Sequence, residues 1–207
     1  MENKRKNLKK SQIISFLFTL LIVVVLNVIG SYVFTRFDLT SEKRYTLSPT
    51  TKEILNGLDD YVYFKVYLEG DFPAGFKKLR RETKEMLDEF RAYSKYIDYE
   101  FINPSESADA AERNDTYKQL YQSGLMPTNL NVRNSDGSSQ NMMIWPGALV
   151  SYRNNTEIAI DLLESQMGQS DDEALNASMQ NLEFRLIDAV KKVTRLQKPN
   201  IAFVQEI

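Results

Sequence analysis

The chain has 207 residues, 26 Lys and Arg against 28 Asp and Glu, and neither cysteine nor histidine. Those two absences exclude disulfides, zinc fingers, thiolate nucleophiles and every Cys–His or Ser–His–Asp catalytic arrangement. The near-neutral balance argues against a nucleic-acid partner, because neutralising phosphates takes a clustered excess of Lys and Arg.

The one basic cluster, Lys4, Arg5, Lys6, Lys9 and Lys10, lies in a tail over residues 1–12, directly before an uncharged block. The apolar heart of that block, residues 13–34, predicts a transmembrane helix. At about 1.5 Å per residue it measures about 33 Å, against a hydrocarbon core of about 30 Å. A cleaved signal peptide has an apolar stretch of only about 7–15 residues and a small-residue cleavage site, and Gly30-Ser31-Tyr32 matches that site poorly. Five basic residues precede the block, and Arg36, Lys43 and Arg44 follow it. The bias places Met1 in the cytoplasm and the rest outside. Asn27 reads either as a helix–helix contact or as a residue near the outer interface, the second being favoured. Ser15, Thr19, Asn27 and Ser31 can bond back to the helix or to a neighbouring helix.

Residues 35–47 form a short linker that keeps the domain close to the bilayer. Ser48-Pro49 opens a short helix over residues 50–56 that Gly57 ends. Alternation over residues 61–69 predicts a strand, broken at Gly70-Asp71-Phe72-Pro73. Leu79, Thr83, Met86, Phe90, Tyr93 and Ile97 form the stripe of an amphipathic helix over residues 74–95, with a solvated charged face from Lys77 to Glu85. A strand over 98–102 and a helix over 107–123, closed by Gly124, follow. Strands are then expected at 129–133, 141–145, 148–153 and 156–160, the last two joined by a tight hairpin at Asn154-Asn155. A long amphipathic helix over 173–196 carries Leu175, Met179, Leu182, Leu186, Val190 and Val193 on one side. It reads as a link (residues 171–198) to a further α/β domain, of which Ile201-Ala202-Phe203-Val204 in residues 199–207 would be the start. The chain therefore reads as the N-terminal portion of a longer protein or a truncated product of one.

The fold class expected is α/β: the transmembrane helix, a thioredoxin-like domain over residues 48–170 built from a parallel βαβ unit plus an antiparallel hairpin, and the long C-terminal helix. Met126-Pro127-Thr128 resembles the place where the thioredoxin-like fold keeps a cis-proline. No Cys-x-x-Cys follows the first strand, so such a scaffold would serve binding or structure.

A closer resemblance rests on Arg44-Tyr45-Thr46-Leu47-Ser48 with Thr51-Lys52, on Gly70-Asp71-Phe72-Pro73, and on Phe101-Ile102-Asn103-Pro104. Trp145-Pro146-Gly147-Ala148, Asn181-Leu182-Glu183-Phe184, Lys198-Pro199 and Ile201-Ala202-Phe203-Val204 complete it. In these the chain resembles the gliding-motility ABC transporter auxiliary proteins, the GldG type, often labelled substrate-binding. The resemblance implies a partner permease, through it a cytoplasmic ATPase subunit, and a role in surface gliding or associated export. It also implies the bacterial inner membrane, with the main domain periplasmic. Members of that family continue into a second α/β domain and a C-terminal membrane helix, which this sequence does not carry.

No catalytic, cofactor-binding or metal-ligating residue is nominated. Asp171, Asp172 and Glu173 could hold a cation but suit a helix N-terminus. Asp59-Asp60 could be a carboxylate pair but suit a turn. Asn134-Ser135-Asp136-Gly137 lacks the spacing and closing Glu of a calcium loop. No phosphate-binding G-x-x-x-x-G-K-[ST] occurs, so the chain would not hydrolyse nucleotide. Tyr61, Tyr63, Tyr67, Tyr93, Tyr96, Tyr99, Tyr117, Tyr121 and Tyr152 suit either a recognition surface or the packing of a sheet under helices. The expected function is a non-enzymatic, membrane-anchored accessory subunit, with no cofactor, acting through protein contacts. The rival is a membrane-tethered ligand sensor or exported enzyme.

Overall fold

The computed structural model describes residues 2–32, 46–133, 139–153, 157–164 and 168–195, the side chains of residues 2–11, 13, 29–32, 132, 133 and 140 excepted. The chain divides into two units, residues 1–44 and 45–207.

The first unit contains α1 (Glu2–Tyr32). Between residues 14 and 28 its apolar side chains are all exposed, from 45% at Ile22 to 68% at Phe16, on every face of the helix. Thr19 Oγ1 donates to the Ser15 carbonyl at 3.0 Å, so this hydroxyl is satisfied within the helix. Among the described residues no helix is long and apolar enough to cross a membrane. The apolar side chains described on α1 cover about 22 Å at about 1.5 Å per residue, against about 30 Å of hydrocarbon.

The second unit is mixed α/β. In chain order it holds α2 (Pro49–Asn56), β1 (Val62–Val66), α3 (Ala74–Tyr93), β2 (Ile97–Phe101), α4 (Ala110–Gln122), β3 (Thr128–Arg133), β4 (Ser139–Ile144), β5 (Gly147–Tyr152), β6 (Ile158–Asp161), α5 (Asp171–Gln180) and α6 (Leu182–Val193). A four-stranded sheet runs β2-β1-β5-β6, and β3 with β4 forms a separate two-stranded sheet. β1 and β2 are parallel, joined through α3, with Val62 opposite Ile97 and Val66 opposite Phe101. β5 returns antiparallel to β1, and β6 antiparallel to β5.

Alternation decides which face is covered. Val62, Phe64 and Val66 are wholly buried on one face, while Tyr63 and Lys65 between them are half-buried on the other. The buried face meets Leu55 of α2, Phe76, Leu79, Leu87 and Phe90 of α3, Leu175 of α5, and Leu182, Leu186 and Val190 of α6 in one continuous core. A smaller cluster of Tyr67, Leu120, Leu125, Trp145 and Leu149 lies apart from it, brought together by α4. α4 contributes Leu120 as its only fully buried residue.

Several expectations are corrected. The helix expected over 173–196 is two helices, because Asn181 leaves helical geometry at φ −94° and ψ 3° and its Nδ2 reaches Glu164 at 3.1 Å. Nor do these helices merely link to something beyond. Leu175, Leu182, Leu186, Ala189 and Val190 are core residues, so α5 and α6 complete the domain that was expected to end at residue 170. The helix expected from Ser107 begins at Ala110, because Asp109 accepts from the Ala111 amide at 2.8 Å and caps it there. Pro127 is not at a cis-proline position: the bond is trans, and β3 after it belongs to the separate hairpin. The hairpin turn at Asn154-Asn155, the loop at 134–137 and the run at 201–204 lie outside the described residues.

Two glycines mark close approaches. A Cβ on Gly147 would stand 2.8 Å from the Ile160 carbonyl oxygen and 2.6 Å from Leu125 Cδ2, whereas one on Gly75 would meet the Leu175 Cδ1 tip at 2.6 Å. The first obstacle includes backbone held in the β5–β6 ladder; the second is the end of a rotatable side chain. Gly147→Ala is therefore expected to cost about 1–3 kcal/mol of stability and Gly75→Ala under about 1 kcal/mol, read by urea denaturation of both variants.

Candidate functional site

The arrival of the chain at the domain is built as a helix start. Ser48 caps α2, accepting from the Thr51 amide at 3.2 Å, with Pro49 in the first turn. The Ser48 amide donates to Glu183 Oε1 at 2.8 Å, and Thr51 Oγ1 donates to the same oxygen at 2.6 Å. One carboxylate of α6 thus holds the N-terminus of α2, where the positive end of the helix dipole favours it. Leu47 is buried beside it. Ser48 and Thr51 on one side and Glu183 on the other, all in segments singled out in the sequence, therefore meet in space for a structural reason.

Several other carboxylates are likewise engaged. Asp59 accepts from the Tyr152 hydroxyl and pairs with Arg153 at 2.6 Å, and Asp60 pairs with Arg153 at 3.2 Å. The turn thereby clasps the end of β5, where Arg153 has φ +52°. The Tyr152 hydrogen bond, helped by the Arg153 charge, holds the Asp59 carboxyl below its ordinary 3.8. The same bond, with burial, pushes the Tyr152 hydroxyl above its ordinary 10.0. Ser170 and Glu173 form a reciprocal capping box at the start of α5, which is the use the sequence suggested for Glu173. Asp171 and Asp172 stand in the same first turn and line a cavity of about 300 Å³ with Pro73, Gly75 and Leu130. This cavity adjoins the junction between β1 and α3 at Pro73. Among the described residues no three His, Cys, Asp or Glu side chains are grouped to hold a metal.

The tyrosines divide by location. Those around α3 and β2 are covered by cations: Lys52 lies over Tyr93, Lys95 over Tyr96 and Arg91 over Tyr99, at 4.8–5.1 Å from the ring centres. Tyr61 stands edge-on to Tyr96. Tyr67 and Tyr152 are buried. Tyr117 and Tyr121 instead line an open groove of about 420 Å³ between α4 and the β3–β4 hairpin, with Pro127, Met143 and Trp145. Trp145 is 2% exposed, tilted against Tyr117 at 5.6 Å, and its buried Nε1 has no acceptor. Tyr121 is 60% exposed, Met143 40%, and Met126, beside Pro127, 56%. Sequence reasoning marked the tyrosines but not this groove. Its Met143 comes from β4 and its Pro127 from just before β3, and nothing in a one-dimensional pattern pairs them with α4.

A family model described as a domain of unknown function, DUF7088, matches residues 41–151, more than half of the chain. The chain belongs to the DUF7088 family. No curated protein and no solved structure matches it. The DUF7088 stretch runs from before α2 to β5, so it contains α3, α4 and the groove but stops short of β6, α5 and α6. The Glu183 contact therefore ties the DUF7088 stretch to the helix that completes its core.

Two outcomes test these contacts. Glu183→Ala is expected to lose about 1–3 kcal/mol, since it leaves the Ser48 amide and Thr51 hydroxyl without their acceptor, and calorimetric or urea melts will read it. For Asp59 the folded pKa is lowered, so its contribution is present above 3.8 and is lost as pH falls through the folded value. Stability measured from pH 5 downward is expected to fall less steeply below 3.8 in Asp59→Asn than in the parent chain.

Proposed function

We propose that this chain is a membrane-anchored accessory subunit of an ABC transporter complex, acting by protein contact rather than by catalysis. The observation that carries the reading is α1: an unbroken helix bearing exposed Leu, Ile, Val and Phe on every face between residues 14 and 28. A helix that is apolar all round has its natural environment in a protein core or in lipid. The uncharged sequence continues to Thr35, which brings the apolar length to that of a bilayer. With the basic tail kept in the cytoplasm, the α/β unit stands on the outer face of the inner membrane.

Three features support a binding role for that unit. Glu173 and Asp109 serve caps, Asp59, Asp60 and Asp88 serve ion pairs, and Glu183 serves the contact with Ser48. The parallel β1–α3–β2 unit, followed by antiparallel β5 and β6 and a closing helix, agrees with a thioredoxin-like scaffold, with Gly70-Asp71-Phe72-Pro73 in place of the thiols. An aromatic and methionine-lined groove remains open. The permease, its ATPase and the link to gliding or export rest on the resemblance to the auxiliary proteins of that transporter class.

The test has two parts. Protease added to spheroplasts is expected to degrade the unit from residue 46 onward and leave the basic tail protected. Mild-detergent purification from native membranes is expected to bring down a polytopic permease and an ATPase in fixed proportion. A chain recovered alone, or a unit protected from external protease, would remove the proposal.

A further inference from the structure

We infer that the groove between α4 and the β3–β4 hairpin receives an uncharged, extended, proline-bearing segment of a partner protein, with Trp145 Nε1 donating to one of its carbonyls. This deepens the reading of the unit as a protein-contact module and rests on it. Among the described residues of the α/β unit, five large apolar side chains are notably exposed, namely Tyr61, Tyr121, Met126, Met143 and Phe184, and two of them, Tyr121 and Met143, line this groove. Below them sits an indole N–H that is buried and without an acceptor. Such a donor is costly to leave unpaired, so the groove favours an occupant with a carbonyl.

Charge narrows the occupant. Among the described residues Lys118 is the one charged side chain lining the groove, and its ammonium is turned toward Asp115 at 3.4 Å. A charged segment would gain little here and would lose hydration. Shape narrows it further. Tyr117 and Tyr121 stand one turn apart on α4, a rise of about 6 Å. Two residues of polyproline II helix advance about 6.2 Å, so alternate residues of such a segment meet successive rings. That backbone keeps its carbonyls unpaired and pre-ordered, and aromatic-lined grooves with few charges are the sites that take it. Nε1 is itself buried, so admitting a carbonyl to it takes a movement of side chains that line the groove.

Trp145 is the only tryptophan, so its emission reports this site alone. The full chain in detergent micelles is titrated with an end-blocked decapeptide of alternating alanine and proline. A saturable change in emission with a midpoint under about 1 mM is expected. Tyr121→Ala and Met143→Asp are each expected to raise the midpoint at least about tenfold, and Tyr61→Ala, on another surface, to leave it unchanged. By titration calorimetry, Trp145→Phe is expected to weaken binding about two- to tenfold, the value of one hydrogen bond. Circular dichroism of each variant verifies folding, and Tyr121→Ala on an exposed helix face keeps the test standing should Met143→Asp misfold. No saturable change, an equal response to an alanine–glycine decapeptide, or emission that shifts with protein concentration alone would overturn the inference, the last assigning the groove to a second copy. Because the peptide assay uses purified chain, its failure leaves recovery of the permease untouched, and the reverse also holds.

Discussion

Every inward residue of β1 is excluded from water, and that requirement organises the second unit. Val62, Phe64 and Val66 lie at the centre of the four-stranded sheet, and a parallel β1–β2 pair needs helices over it to be buried at all. α3, which makes the crossover, supplies part of the cover with Phe76, Leu79, Leu87 and Phe90. It cannot supply the rest, because the sheet continues through β5 to β6. α6 takes that place with Leu182, Leu186 and Val190, although it comes some eighty residues after the crossover is complete. Removing apolar area of this kind from water stabilises by about 25 cal/mol per Å². The domain therefore includes α5 and α6.

From that cover follows the way the chain is received. α2 lies beside α6, and the polar groups at the start of α2 are satisfied by Glu183 rather than by solvent. Leu47 enters the core one residue earlier. The stretch leading from the first unit is thus fastened to the same helix that closes the sheet. A DUF7088 stretch alone, ending at residue 151, would leave both the core face and this helix start uncovered.

The opposite face of the sheet is treated differently. α4 buries little beyond Leu120, and the cluster under it is completed by Trp145, Leu125 and Tyr67 rather than by a second layer of helices. Economical cover leaves room. The β3–β4 hairpin, inserted before β5, leans its Met143 and Pro127 toward Tyr117 and Tyr121 across that room. The same cations that occupy the rings of Tyr93, Tyr96 and Tyr99 on the other side are lacking among the residues that line this groove, with Lys118 as the exception.

Local chemistry was legible in the residues themselves. Ser48-Pro49 announces α2, the four-and-three spacing from Leu79 to Tyr93 announces α3, Asp171, Asp172 and Glu173 announce a helix N-terminus, and the alternation from Val62 to Val66 announces the strand. Each depends on neighbours within one or two turns, so sequence suffices. The break at Asn181, the separate β3–β4 sheet, the union of Glu183 with Ser48 and the tyrosines that remain open at the groove were decided elsewhere. They depend on groups more than a dozen residues apart meeting under the demand to bury one sheet face, as Asn181 meets Glu164 across 17 positions and Thr51 meets Glu183 across 132. Periodicity states which side of an element avoids water; only packing states which other element covers it.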